Sequence, residues 1–158
     1  MKAADGKMPV SNRQARVMAM QTLYALEQGC GTVADALVAA LDGQAIPDGQ
    51  REFGARLISL VQENRKAIQD EIRASVANWD FDRIALVDRI LVELGIAEIR
   101  MVAEVPPKVA LSEYQSIARK FSTEESPRFV GGILNVVARK ATGGASEESD
   151  ASRESGEG

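Results

Sequence analysis

The sequence has no histidine, one cysteine and one tryptophan in 158 residues. Without imidazole, the commonest general base is missing, and with it every catalytic triad or zinc site that needs histidine. Cys30 alone cannot close an internal disulfide or build a cysteine-rich zinc site, and with no recognisable activating partner it reads as an inert thiol. Neither common glycine-rich phosphate loop occurs. No apolar run approaches the ~18 residues that span a bilayer. The first ten residues lack the apolar stretch of a signal peptide. These absences point away from an enzyme, a metal, another cofactor or a membrane partner, and towards the cytoplasm.

Charge is present but unevenly placed. The tail from Ala141 to Gly158 carries five acidic side chains against Arg153, which accounts for the whole net charge of −4. Residues 1–20 and 106–140 each have a net charge of +3, and residues 21–105 one of −6. Two basic ends folded onto one face would form an anion site, leaving an acidic middle for a basic partner.

Apolar spacing is helical almost throughout, and no stretch alternates as a strand does. Ser11 with Gln14 forms a capping-box pattern ahead of a helix carrying Val17, Met20 and Tyr24, which should stop near Gly29. Thr32 caps a short second helix that ends at Gly43. A long third helix is predicted from Gln50 to Asn78, and Asn78-Trp79-Asp80 breaks the pattern. A fourth helix carries Ile84, Val87, Leu91 and Leu94. Pro106-Pro107 opens a fifth, with Ala110, Tyr114, Ile117 and Phe121 on one face. Ser126-Pro127 opens the last. The tail from Thr142 lacks large apolar residues and reads as disordered. Gly54, Gly95, Gly131 and Gly132 lie inside predicted helices, where close packing or a ligand would account for them. Asp80 with Asp82 and Glu124 with Glu125 sit at helix starts, where capping is the ordinary role of carboxylates.

Three segments taken in order resemble the bacterial NusB family. The first is Arg13-Gln14-Ala15-Arg16 with Ala19, Gln21, Leu23 and Tyr24. The second runs from Arg83 to Leu91, with Leu94, Gly95 and Glu98 after it. The third runs from Val105-Pro106-Pro107-Lys108-Val109-Ala110 through Phe121-Ser122-Thr123-Glu124-Glu125-Ser126 to Arg128-Phe129-Val130. The resemblance implies an all-α, NusB-like fold of six to seven helices and no sheet, in two packed subdomains over 11–78 and 79–140. An N-terminal arm over 1–10 and an acidic tail over 141–158 flank it. It implies a transcription antitermination factor that binds the boxA element of ribosomal RNA operon transcripts together with the ribosomal protein NusE. Other Nus factors and RNA polymerase would join the assembly, and a homodimer is a further possibility.

By the same resemblance, Arg13, Arg16, Arg128 and Phe129 are the expected RNA contacts, and Asp88 and Glu125 the expected contacts to NusE. The residue chemistry agrees. Arginine forks hold phosphates and bases, and an aromatic beside a helix start stacks on unpaired bases. An acidic helix face suits a basic protein. Glu113 reads instead as a structural hydrogen-bond partner, and a core position for Phe129 stays open. So does a second overall reading, a helical scaffold or homodimer with weak or lost RNA binding. The family crowds arginines into the opening helix, whereas this chain has Asn12 and Gln14 there, and Glu93 in place of an arginine in the fourth helix. Each lost phosphate contact weakens binding and flattens its salt dependence. The isolated chain is therefore predicted to bind boxA RNA weakly and to gain specificity with NusE. An electrophoretic shift with and without NusE measures this, and equally tight binding by the chain alone contradicts it.

Overall fold

The computed structural model describes residues 12–76 and 81–157, with side chains described through residue 143. Ser11, Trp79 and Asp80, and the arm over 1–10, lie outside the described residues. Seven α-helices and no strand occur among the described residues. They are α1 (Arg13–Glu27), α2 (Val33–Ala40), α3 (Asp48–Glu63), α4 (Arg65–Ser75), α5 (Leu86–Met101), α6 (Pro107–Phe121) and α7 (Ser126–Glu157), with a 3-10 turn over Phe81–Arg83 ahead of α5.

Local signals place most of the helix ends. Gly29, Gly31 and Gly43 have positive φ, so the chain turns out of α1 and α2 where the glycines permit a left-handed backbone. Thr32 and Asp35 close a reciprocal capping box. The Asp35 N–H donates to Thr32 Oγ1 at 3.1 Å, and the Thr32 N–H donates to the Asp35 carboxylate at 3.2 Å. Pro107 sits in the first turn of α6, where its missing N–H has no helical partner to lose.

The single third helix predicted over Gln50 to Asn78 is instead two, α3 and α4, divided at Asn64 (φ −118°, ψ 23°). The Asn64 side-chain amide donates to the Leu60 carbonyl at 2.9 Å, the local competition with helical bonding at which asparagine excels. Tyr24, placed on the core stripe by periodicity, is exposed. At the other end, Gly143 leaves the helical region (φ −138°, ψ 25°), and a helical backbone resumes to Glu157 where the composition predicts disorder. Alanine, glutamate and arginine in that stretch carry helix propensity of their own.

Packing is organised around α5. Every residue from Ile90 to Ile99 is buried, as expected of a helix that is apolar nearly all round. It touches α1, α3 and α4 on one side and α6 and α7 on the other, and one cluster of buried side chains runs through all of them. Glycines permit the tightest approaches. A Cβ on Gly54 would strike Met18 and the Ala15 carbonyl of α1, and one on Gly95 would strike Leu134 of α7. Gly95→Val should therefore lower unfolding stability by about 1–3 kcal/mol, the usual cost of overpacking, measured by urea denaturation.

Candidate nucleic-acid interface

The N-terminus of α1 is held from α3. Gln50, itself buried, accepts the Ala15 N–H at 3.1 Å through Oε1. This orients the helix so that two arginines three residues apart diverge. Arg13 stays at the rim, its side chain 42% exposed, with Nε 3.2 Å from Glu113 Oε1. Arg16 turns inward and is 2% exposed. Its Nε donates to Glu98 Oε1 at 2.9 Å, and its second fork nitrogen bonds the other Glu98 oxygen. The Arg16 guanidinium carbon lies 5.7 Å from the Phe53 ring centre and 5.8 Å from that of Tyr114. Glu98 is fully buried, and it also accepts the Tyr114 hydroxyl at 2.8 Å.

Arg16, expected as an RNA contact from its place in the opening helix, is therefore turned inward and not displayed at the surface. Its fork is filled by a carboxylate inside the molecule. Glu113 is the structural partner expected of it, joining α6 to both arginines, with Arg16 at 3.7 Å.

Asp88 is likewise internal rather than displayed. It is 8% exposed, and both oxygens are taken: Ser122 Oγ donates to one at 2.7 Å and Ser126 Oγ to the other at 3.0 Å. The Ser126 hydroxyl oxygen in turn accepts the Thr123 N–H at 3.1 Å. Asp88 thus braces the α6–α7 turn and does not offer the free acidic surface expected for NusE. Glu125, on that turn, is exposed. Glu93 is buried too. Arg89 reaches it at 3.0 Å and Gln69 at 2.7 Å, so its departure from arginine builds an internal polar cluster.

Arg128 and Phe129 follow the braced turn. Arg128 is exposed and makes no ion pair among the described residues, while Phe129 is half-buried against the core. Both line a groove of about 510 Å³ between α4 and α7. Gly132 lies in its wall, and an added Cβ there would meet nothing within 4 Å. Lys140 also lines this groove. Phe129 lines a second, smaller groove as well, with Arg83, Asp88 and Glu125. Its ring therefore stands between two clefts, each containing an arginine.

Arg13 belongs to neither. It lines a separate groove between α1 and α6, with Lys120 and Phe121 at the other wall. The structure thus brings Arg128 and Phe129 together, places Arg13 apart from them beyond the α6–α7 turn, and removes Arg16 altogether. Lys120, Arg83 and Lys140 are exposed, groove-lining residues that helical periodicity did not single out, whereas Phe121, placed by periodicity on the apolar face of α6, is 37% exposed. For Phe121 the available signal was its position as the last residue before the turn, where a core stripe runs out.

Burial and the neighbouring Glu98 charge push the Tyr114 phenol well above its ordinary value near 10. The folded protein keeps this proton at pH values where the unfolded chain loses it. The contribution is therefore complete below about pH 10 and declines as pH rises above it. Tyr114→Phe should cost about 1–2 kcal/mol at neutral pH through its lost hydrogen bond and should flatten the alkaline fall in stability. Urea unfolding from about pH 8 to about pH 11 measures both effects.

The chain matches the NusB family over residues 13–139. A transcription antitermination protein NusB from Methylacidiphilum infernorum is 35% identical over 131 residues, which cover 82% of this chain and 92% of that protein. Among solved structures, T. maritima NusB superposes with a TM-score of 0.75 at 27% identity, covering 84% of this chain and 94% of that one. A structure of the antitermination factors NusB and NusE in complex with dsRNA shares the fold, with a TM-score of 0.72 at 19% identity over 80% of this chain and 95% of its counterpart. With the central α5, the Pro106-Pro107 entry to α6 and the turn into α7 all in the matched span, the chain belongs to the NusB family.

Proposed function

We propose that this chain is a transcription antitermination factor that binds unpaired RNA around the α6–α7 turn and acts together with NusE on the boxA element of ribosomal RNA operon transcripts. One observation carries the reading. An exposed arginine with no ion pair among the described residues adjoins a half-buried aromatic, Phe129, that stands between two clefts. Arg128 neutralises phosphate. Phe129 offers a face on which an unpaired base stacks, the usual mode of single-strand recognition. Lys140 extends the cationic path along the α4–α7 groove, and Arg83 extends it into the smaller one. Family membership supports the antitermination role.

Glu125 is the acidic residue offered to a basic partner such as NusE. Asp88 positions that residue from beneath through its two serine bonds. Arg13 contributes a peripheral phosphate contact. The scaffold reading draws support from the loss of Arg16 to the interior, which thins the cationic helix further. It gives no role to Arg128, exposed and without an ion pair among the described residues, beside Phe129.

Titration of boxA RNA in the presence of NusE, followed by fluorescence anisotropy over a range of salt, tests the assignment. Arg128→Ala should reduce the slope of log K against log salt by about 0.7, the share of one single-strand phosphate contact. Phe129→Ala should weaken binding by about 1–3 kcal/mol with the slope unchanged. Wild-type behaviour in both variants would leave the scaffold reading standing.

A further inference from the structure

We propose that the acidic segment over residues 144–157 folds back on α7 as an intramolecular competitor, occupying the groove between α4 and α7 until RNA displaces it. The inference rests on the RNA-binding reading above, because the surface covered is the one that holds Arg128 and Phe129.

The groove has a cation at each end. Arg128 and Lys140 both line it, twelve residues apart on α7, which is about 18 Å along the axis. Arg139 stands next to Lys140. All three are exposed and make no ion pair among the described residues. One carboxylate lines the groove among the described residues, that of Glu71, and it is committed to Arg100, whose fork nitrogens donate to it at 2.6 and 3.3 Å. Between the two ends the wall is low. Gly132 is exposed, and a Cβ added there would meet nothing within 4 Å. The groove is thus open along its length and positively charged where it begins and ends.

The segment beyond it carries the matching charge. The helix breaks at Gly143 (φ −138°, ψ 25°), and a helical backbone resumes to Glu157. Glu147, Asp150, Glu154 and Glu157 follow one another at spacings of three, four and three residues, which set them on one stripe of a helix. Like charges at those spacings repel, and Arg153 offsets only one of the four. A cover of cations relieves that repulsion. The stripe is about 15 Å long, close to the separation of Arg128 and Lys140. A reversal over residues 142–144 has the length of a helical hairpin loop, roughly two to five residues. It sets Glu147 level with Arg139 and Glu157 level with Phe129, beside Arg128. The segment has no large apolar side chain, so charge alone holds it, and the denser charge of a phosphate backbone displaces it. The apparent affinity for RNA is then lowered by the fraction of molecules in which the groove is covered.

Anisotropy titration of boxA RNA with NusE present tests this on the full chain, with thermal melting to confirm that each variant folds. Replacing the four carboxylates together (Glu147→Gln, Asp150→Asn, Glu154→Gln and Glu157→Gln) should tighten binding about three- to tenfold, the range that release of two or three exposed ion pairs permits. The gain should shrink as salt rises. Gly143→Ala with Gly144→Ala keeps every charge but favours a straight helix, and it should give the same gain. A gain in the first variant and none in the second would mean that the tail acts through net charge without docking, and would overturn the proposal. Weaker binding in the first variant would place the tail against NusE, with the same consequence. If neither variant differs from the wild type while Arg128→Ala weakens binding, the competitor is wrong and the RNA-binding reading survives. If Arg128→Ala and Phe129→Ala are also without effect, both fall together.

Discussion

The carboxylate of Glu98, near the C-terminal end of α5, holds three helices in one orientation. It takes the fork of Arg16 from α1 and the hydroxyl of Tyr114 from α6, with all three groups removed from water. Separating two charges from solvent costs several kcal/mol per ion, and only close mutual bonding offsets it. Any rotation of α1 about its axis would strand a buried guanidinium opposite a buried carboxylate, so α1 has one acceptable orientation. That orientation decides what the opening helix shows to solvent: Gln14, Val17 and Gln21 towards a groove, and Arg13 at its rim. The number of arginines available to an anion is set by this internal bond as much as by their count in the sequence.

A second carboxylate of the same helix does comparable work at the other end. Asp88 lies ten residues before Glu98, about 15 Å along the axis, and bonds both serines of the α6–α7 turn. The turn carries Glu125 on its surface and leads directly into Arg128 and Phe129. Thus α5, buried along most of its length, positions the turn that carries the proposed RNA contacts. Most of its polar side chains are spent on internal partners, which is how a helix buried nearly all round can still carry five charged side chains, Asp88, Arg89, Glu93, Glu98 and Arg100, without unpaired charge.

Helix identity was readable because it is local. Capping at Thr32, glycine turns at Gly29 and Gly43, and proline entry at Pro107 all act within a few residues of the helix ends they define. The break at Asn64 was also local, but the apolar spacing runs on through it, so periodicity read two helices as one. Family motifs named side chains without fixing which of them the fold displays. Arg128 is exposed and Phe129 half-buried, whereas Arg16 and Asp88 are buried among internal partners.

The order of amino acids settled the all-helical architecture, most of the helix ends and membership of the family, since these follow from periodicity, capping chemistry and motif spacing along the chain. Only the packed molecule decided which charges face water. Arg13 and Arg16 are separated by three residues and by the whole distinction between rim and interior, because the partner that draws Arg16 inward lies 82 residues further along the chain. Burial depends on contacts distant in sequence, and no local pattern encodes them.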